Sequence, residues 1–330
     1  MYQIGVIGTS QIVHSSVQAF QNTKRGILKR VYSRQKETGD VFASEYDDVQ
    51  VDTNLDDFLN ATDIDIVYIA SPNTFHFEQA KKALCAKKHV VVEKPAVVTM
   101  KQWETLNQLA TENNVLLFEA IRHVYEPNFQ KVAEFISHQH IDGAVLQFGQ
   151  YSRRMDDLHK GIVQNIFKVE MSAGVLMDLG VYVLHSAFHW FGIPNDVSYF
   201  PIKWTNGIDV QGDLLLKYDG FNVSGHISKR TISLANSEIY VQNKTLCIDS
   251  VDHVKKIEWH ENDDCQILSE EAPRYRMQSQ WNHFFDCLEE KADALTYYQK
   301  VHQITGEVIR CMEQCRQKNE IIFSADEDKE

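Results

Sequence analysis

The order of apolar runs in the first 120 residues constrains the fold most. Tyr2–Gly8, Leu28–Ser33, Ile64–Ala70, His89–Val92 and Val115–Ala120 read as short strands. Helical stretches lie between them, one ending near Gln21 and others over Lys36–Tyr46, Phe75–Lys87 and Thr99–Asn113. Thr99 and Gln102 have the spacing of a capping box. Ile66–Ala70 and Val90–Val92 are apolar at consecutive positions. Strands of that kind are buried on both faces, as in a parallel sheet covered by helices. The repeated strand–helix order predicts a doubly wound domain.

The pattern changes after about Phe129. A helix to Ser137 leads into a strand over Ala144–Ser152, and a helical segment follows near 174–191. Strands then come at short spacing: Val210–Tyr218, Phe221–Ser228, Ser237–Val241, Thr245–Ile248 and Lys256–His260. Asp219-Gly220 is a hairpin signal between the first two. Two helices, about 277–290 and 297–318, close the chain, and Asp326–Glu330 reads as a frayed, solvated acidic tail. The predicted fold class is therefore α/β: an N-terminal Rossmann-type, doubly wound parallel sheet over 1–122, plus a C-terminal α+β domain with an open, mostly antiparallel sheet over 123–330. A chain of 330 residues is long enough for two such cores.

Charge and composition exclude other classes. With 33 basic against 46 acidic residues the formal charge is -13, which argues against a nucleic-acid binder. No apolar run is read as approaching the roughly 20 residues that span a bilayer. The N-terminus shows no secretory pattern, and the six scattered cysteines form no CxxC. The expectation is a cytoplasmic protein with reduced, structural thiols and no membrane partner.

Four stretches can carry chemistry. Gly8-Thr9-Ser10-Gln11-Ile12-Val13 stands where a dinucleotide fingerprint belongs, with Ser10 and Val13 in place of its second and third glycines. Ser10 can donate to a phosphate, and the helix start offers N–H groups; an ordinary strand–helix turn is the alternative. The second strand ends in Ser33-Arg34-Gln35-Lys36, with no acid until Glu37. A hydroxyl and two cations suit a 2′-phosphate rather than a free ribose hydroxyl. Ser71, Asn73 and His76 follow the next strand, and Glu93-Lys94-Pro95 the one after, both at the edge where open α/β sheets bind ligands. Finally, Asp178, Tyr182, His185 and His189 share one helical stripe. A solvated face would carry Lys and Glu, so the stripe reads as a proton-handling site or as satisfied buried polar residues. The two histidines have ligand spacing, but no zinc motif accompanies them, and no metal is expected.

These residues give the chain a resemblance. Gly8-Thr9, Ser71-Pro72-Asn73 with His76, Glu93-Lys94-Pro95, Glu119-Ala120, and Asp178-Leu179-Gly180-Val181-Tyr182 with His185 resemble the Gfo/Idh/MocA oxidoreductases over nearly the whole chain. The resemblance implies hydride transfer between NAD(P) and a carbohydrate-like alcohol or carbonyl. It implies Lys94 as the catalytic lysine at the nicotinamide, Asp178 as the substrate aspartate, and Tyr182 in a proton-transfer role with His185 beside it. Tyr at 182 is closer to members like glucose–fructose oxidoreductase and dihydrodiol dehydrogenase than to those like inositol dehydrogenase. The implied cofactor-binding set is Gly8, Thr9, Ser10, Gln11, Ile12, Ser33, Arg34, Ser71, Asn73, His76, Glu93 and Lys94. NADP is expected to be preferred, with NAD possible, and the chain to form a homodimer or higher homo-oligomer. A non-catalytic dinucleotide-binding sensor and a dehydrogenase of trans-dihydrodiols are the alternatives.

Overall fold

The computed structural model describes residues 1–327. The strands are β1 Tyr2–Ile7, β2 Gly26–Tyr32, β3 Gln50–Asp52, β4 Ile66–Ile69, β5 His89–Glu93, β6 Leu117–Ala120, β7 Gly143–Gly149, β8 Asp196–Lys203, β9 Asp209–Lys217, β10 Asn222–Ser228, β11 Ser237–Val241, β12 Lys244–Ile248, β13 Ile257–Glu261 and β14 Asp264–Ile267. The α-helices are α1 Gln11–Asn22, α2 Lys36–Ala43, α3 Leu55–Asn60, α4 His76–Cys85, α5 Met100–Glu112, α6 Pro127–Ile136, α7 Arg154–His159, α8 Val181–Phe191, α9 Gln278–Leu288 and α10 Ala292–Lys318. They form two compact units: Met1–Arg122 with Arg274–His302, and His123–Pro273 with the chain from Gln303 on.

The first unit is built on a six-stranded sheet of order β3-β2-β1-β4-β5-β6, parallel throughout. Val67, Tyr68, Val90 and Val92 are fully buried, as their consecutive apolar character requires. Strand order reverses between β1 and β4, which opens a crevice at their C-terminal ends. β3 and α3 carry weak patterns and escape the sequence reading; α3 is fixed by Asn54, which accepts from Asp56 N and Asp57 N.

The segment 274–302 differs from expectation, since it lies with the first unit rather than the second. Its aromatic face explains why. Trp281 packs on Phe20 and Tyr68 and donates from Nε1 to Ser16 Oγ at 2.9 Å. Phe284 and Tyr298 cover Phe118, and Arg25 pairs with Asp286 and Glu289.

The second unit holds an eight-stranded sheet of order β14-β13-β12-β11-β7-β10-β9-β8. All neighbours are antiparallel except β7 and β10. The β9–β10 hairpin turns at Asp219-Gly220, with Gly220 at φ +87°. One face carries α8, so close that a Cβ on Gly225 would lie 3.0 Å from Val183. Val169–Phe191 is 23 residues and holds an 18-residue window of mean hydropathy 1.3, long and apolar enough to cross a membrane, contrary to the sequence reading. Its most apolar window is 89% buried, and a helix wrapped on all sides is apolar all round. The tail also departs from expectation at Asp326. That residue pairs at 2.7 Å with the buried Arg316, whose guanidinium stands over Phe323 and needs a counter-charge. Residues 328–330 of the tail lie outside the described residues.

Candidate active site

In the first unit a cavity of about 740 Å³ opens over the ends of β1, β2 and β4. Gly8, Thr9, Ser10, Ser33, Arg34 and Ser71 line it, as do Gln35, Thr38, Phe75 and Gln79, which the sequence reading did not single out. Gly8 sits at φ +114°, and a Cβ there would meet Ala70 O at 2.9 Å, so only bare backbone fits this turn. Ser10 is the N-cap of α1 but makes no side-chain cap bond. The helix start therefore presents first-turn N–H groups and a hydroxyl to the cavity, a cradle suited to phosphate. Gln11 and Ile12 begin that helix without forming the cavity wall.

Arg34 is held at the mouth with its guanidinium 5.4 Å from the Phe75 ring centre. Ser33 Oγ donates to Gln35 O at 2.9 Å. Lys36 does not join them. It bridges to Asp40 at 2.7 Å, one turn along an exposed helix, because an i,i+4 partner is nearer than the cavity.

Asn73 opens a short 3₁₀ turn outside the cavity wall. His76 lies beneath it, 1% exposed, with Nδ1 2.9 Å from Pro95 O and Nε2 2.8 Å from Ser71 O. It thus ties the loop after β4 to the loop after β5 and does not itself line the cavity. Burial pushes its pKa down. Glu93, half-buried at the end of β5, accepts from Tyr68 OH at 2.6 Å, and desolvation pushes its pKa up. Lys94 is the next residue, at the same sheet edge. Its peptide bond to Pro95 is cis, and Ala96 N donates to Glu119 Oε1 at 2.9 Å.

In the second unit, Asp209 pins the start of the apolar helix. Its buried carboxylate accepts from Leu176 N at 2.9 Å and from Tyr199 OH at 2.6 Å; burial raises the pKa of both acid and phenol. One π-helical turn, Leu176–Gly180, follows and presents Asp178 half-exposed. Asp178 accepts from Lys229, whose side chain is only 4% exposed and lies over the Phe167 ring. Tyr182 is one turn further, with its ring 5.0 Å from His123 and 5.5 Å from Phe148. His185 and His189 stack on each other, His185 wholly buried. The stripe therefore runs from a half-exposed carboxylate into the core.

Three comparisons bear on what these units are. The profile of the oxidoreductase family with an NAD-binding Rossmann fold, Gfo/Idh/MocA, matches residues 2–121. The NADP(+)-dependent scyllo-inositol 2-dehydrogenase IolU of Bacillus subtilis is 31% identical over 332 residues, covering 99% of this chain and 100% of that protein. The chain belongs to the Gfo/Idh/MocA oxidoreductase family. An uncharacterised oxidoreductase of Escherichia coli, YgjR, is 32% identical over 78% of this chain and 79% of its own length. A 3-ketoreductase from Actinomadura kijaniata, solved with NADP and TDP-benzene, shares the fold with a TM-score of 0.84 at 19% identity, over 96% of this chain and 97% of that one.

As a Gfo/Idh/MocA oxidoreductase, the protein is an NAD(P)-dependent enzyme that transfers hydride to or from carbohydrate- or alcohol-type substrates. The sequence reading missed His123 and Lys229. His123 precedes a helix as an unremarkable residue, and Lys229 follows a strand beside Arg230 and reads as solvated. Neither carries a local pattern; only burial marks them.

Proposed function

We propose that this enzyme is an NADP-preferring dehydrogenase of a cyclic polyol or a closely similar carbohydrate, with scyllo-inositol as the first substrate to test. The full-length similarity to an NADP(+)-dependent scyllo-inositol dehydrogenase carries this reading. The cavity supports the cofactor half. Gly8, Thr9, Ser10, Gln11 and Ile12 would hold the pyrophosphate, since the Gly8 turn leaves no room for a side chain. Ser33 and Arg34 would take the 2′-phosphate, at a strand end with no carboxylate to repel it. Ser71, Asn73 and Glu93 would shape the nicotinamide end, with His76 fixing the loops that carry Ser71 and Pro95.

When bound, the nicotinamide supplies the hydride donor or acceptor. This chain's residues handle the proton and the substrate. The Lys94 ammonium stabilises negative charge on the substrate oxygen and, with the Tyr182 phenol, exchanges the proton there. Asp178 accepts from a substrate hydroxyl, and Lys229 orients that carboxylate. His185 is too deep to touch substrate and acts as a positioning residue behind Tyr182 and His123. We also propose a homo-oligomer, with a second copy on the β8 end of the sheet face opposite α8, where Phe200 and Ile202 are exposed and which is the edge farthest from β14.

Following NADPH absorbance with scyllo-inositol, other inositols and sugars tests the activity. Turnover of a polyol with NADP⁺ faster than with NAD⁺ is expected. Tight NADP binding without turnover of any alcohol or carbonyl would instead favour a dinucleotide sensor, to which Ser10 in place of a glycine points.

A further inference from the structure

The sheet face opposite α8 carries a cluster unrelated to hydride transfer. Its register places Val145, Glu238, Cys247 and Glu258 across four neighbouring strands, β7, β11, β12 and β13. Alternate residues of a strand share a face, so His260 lies beside Glu258, and Cys265 of the edge strand β14 lies opposite His260. Cys265 Sγ is 3.7 Å from Glu258 Oε1 and 3.8 Å from His260 Nε2, and the three donor atoms lie within 4.8 Å of one another. Tetrahedral zinc, with bonds of about 2.3 Å to sulfur and about 2.0–2.2 Å to nitrogen and oxygen, sets such donors roughly 3.5 Å apart. Two of the cluster's three edges are thus within a few tenths of an ångström of that geometry before any ion arrives, and the third is no longer than 4.8 Å.

We propose that Glu258, His260 and Cys265 form a site for a zinc-class divalent ion, with the fourth position open to water. The donor set is a borderline one: a thiolate, an imidazole and a carboxylate favour zinc over magnesium or calcium, which take oxygen alone. The Cys265 thiol gives its proton to solvent as the sulfur–metal bond forms. Glu258 offers its Oε1 as the oxygen donor. Lys256 Nζ sits 2.8 Å from the same Oε1 and competes with the ion for it. Bound metal would clip β14, a four-residue edge strand exposed along its length, to β13.

The test is equilibrium dialysis of the full chain against Zn²⁺ or Co²⁺. One equivalent should bind, and cobalt should show a thiolate-to-metal charge-transfer band. Loss of an outer partner to a metal site alone costs about 10–100-fold in affinity, so Cys265→Ser should cost at least about tenfold and abolish the band. His260→Gln should weaken binding similarly, whereas Cys247→Ser should retain the band. Lys256→Ala, which removes the competing cation, should tighten binding. Equal zinc uptake by wild type and Cys265→Ser, or cobalt binding without the band, would overturn the proposal. All the altered side chains sit on a solvent-facing sheet surface, and a circular-dichroism melt of each variant separates lost ligation from lost fold.

Discussion

Replacing Arg34 by Ala separates the two things this residue does. Its guanidinium lies over Phe75, 5.4 Å from the ring centre, at the mouth of the cavity. A charge-assisted contact to the 2′-phosphate is worth about 1.5–3 kcal/mol. The stack on Phe75 adds about 0.5–1 kcal/mol at an exposed site and holds the fork in place. Arg34→Ala should therefore weaken NADPH roughly ten- to a hundredfold. NADH has no 2′-phosphate, so its affinity should change by less than about threefold. Phe75→Leu keeps the charge and loses only the stack. It should weaken NADPH by about two- to fivefold, in proportion to that smaller energy. Titration of both reduced cofactors by nicotinamide fluorescence reads all three proteins directly. Equal weakening of NADPH and NADH in Arg34→Ala would refute the reasoning, because the residue would then be contributing to shape and not reading the phosphate.

Lys94→Ala and Tyr182→Phe should each lower kcat by on the order of a hundredfold, the scale of general acid–base catalysis, with the double variant little worse than the poorer single one; multiplying losses in kcat would show independent roles. Lys229→Met removes the cation paired with Asp178 and should raise KM for the polyol by about tenfold while NADPH affinity stays unchanged; a shift in cofactor affinity instead would count against its place beside the substrate. His302 should make the first unit acid-sensitive. Burial pushes its pKa from 6.5 down to about 4, so the unfolded chain takes up a proton that the fold resists. Stability should fall as pH drops from about 6.5 to 4, by up to about 3 kcal/mol, and His302→Gln should flatten that slope in urea melts at pH 7 and pH 5.

How far the sequence could be read depends on whether a signal is local. The parallel sheet was legible because consecutive apolar residues such as Val90–Val92 allow few other structures. The Asp219-Gly220 hairpin was legible because the turn needs φ > 0. Gly8, Ser33, Arg34 and Ser71 were found through their positions at strand ends, and all line the cavity. Lys36 was misjudged, because nothing in its neighbours announces that Asp40 will take the ammonium. His76 was misassigned to the cavity, because its two carbonyl partners lie five and nineteen residues away. Lys229 and His123 were invisible for a related reason: their burial is decided by chain far away in sequence.

The return of 274–302 to the first unit also bears on the order of synthesis. A ribosome releases β1 to β6 long before it makes Trp281, Phe284 and Tyr298. Until then Phe20, Tyr68 and Phe118 have no cover on that side. The nucleotide-binding half thus waits on residues 274–302 for its last wall. The nascent chain meanwhile offers an aromatic surface of the kind holdase chaperones recognise. A fragment stopped at residue 122 should bind hydrophobic dyes and precipitate, and adding 274–302 through a flexible linker should restore its solubility.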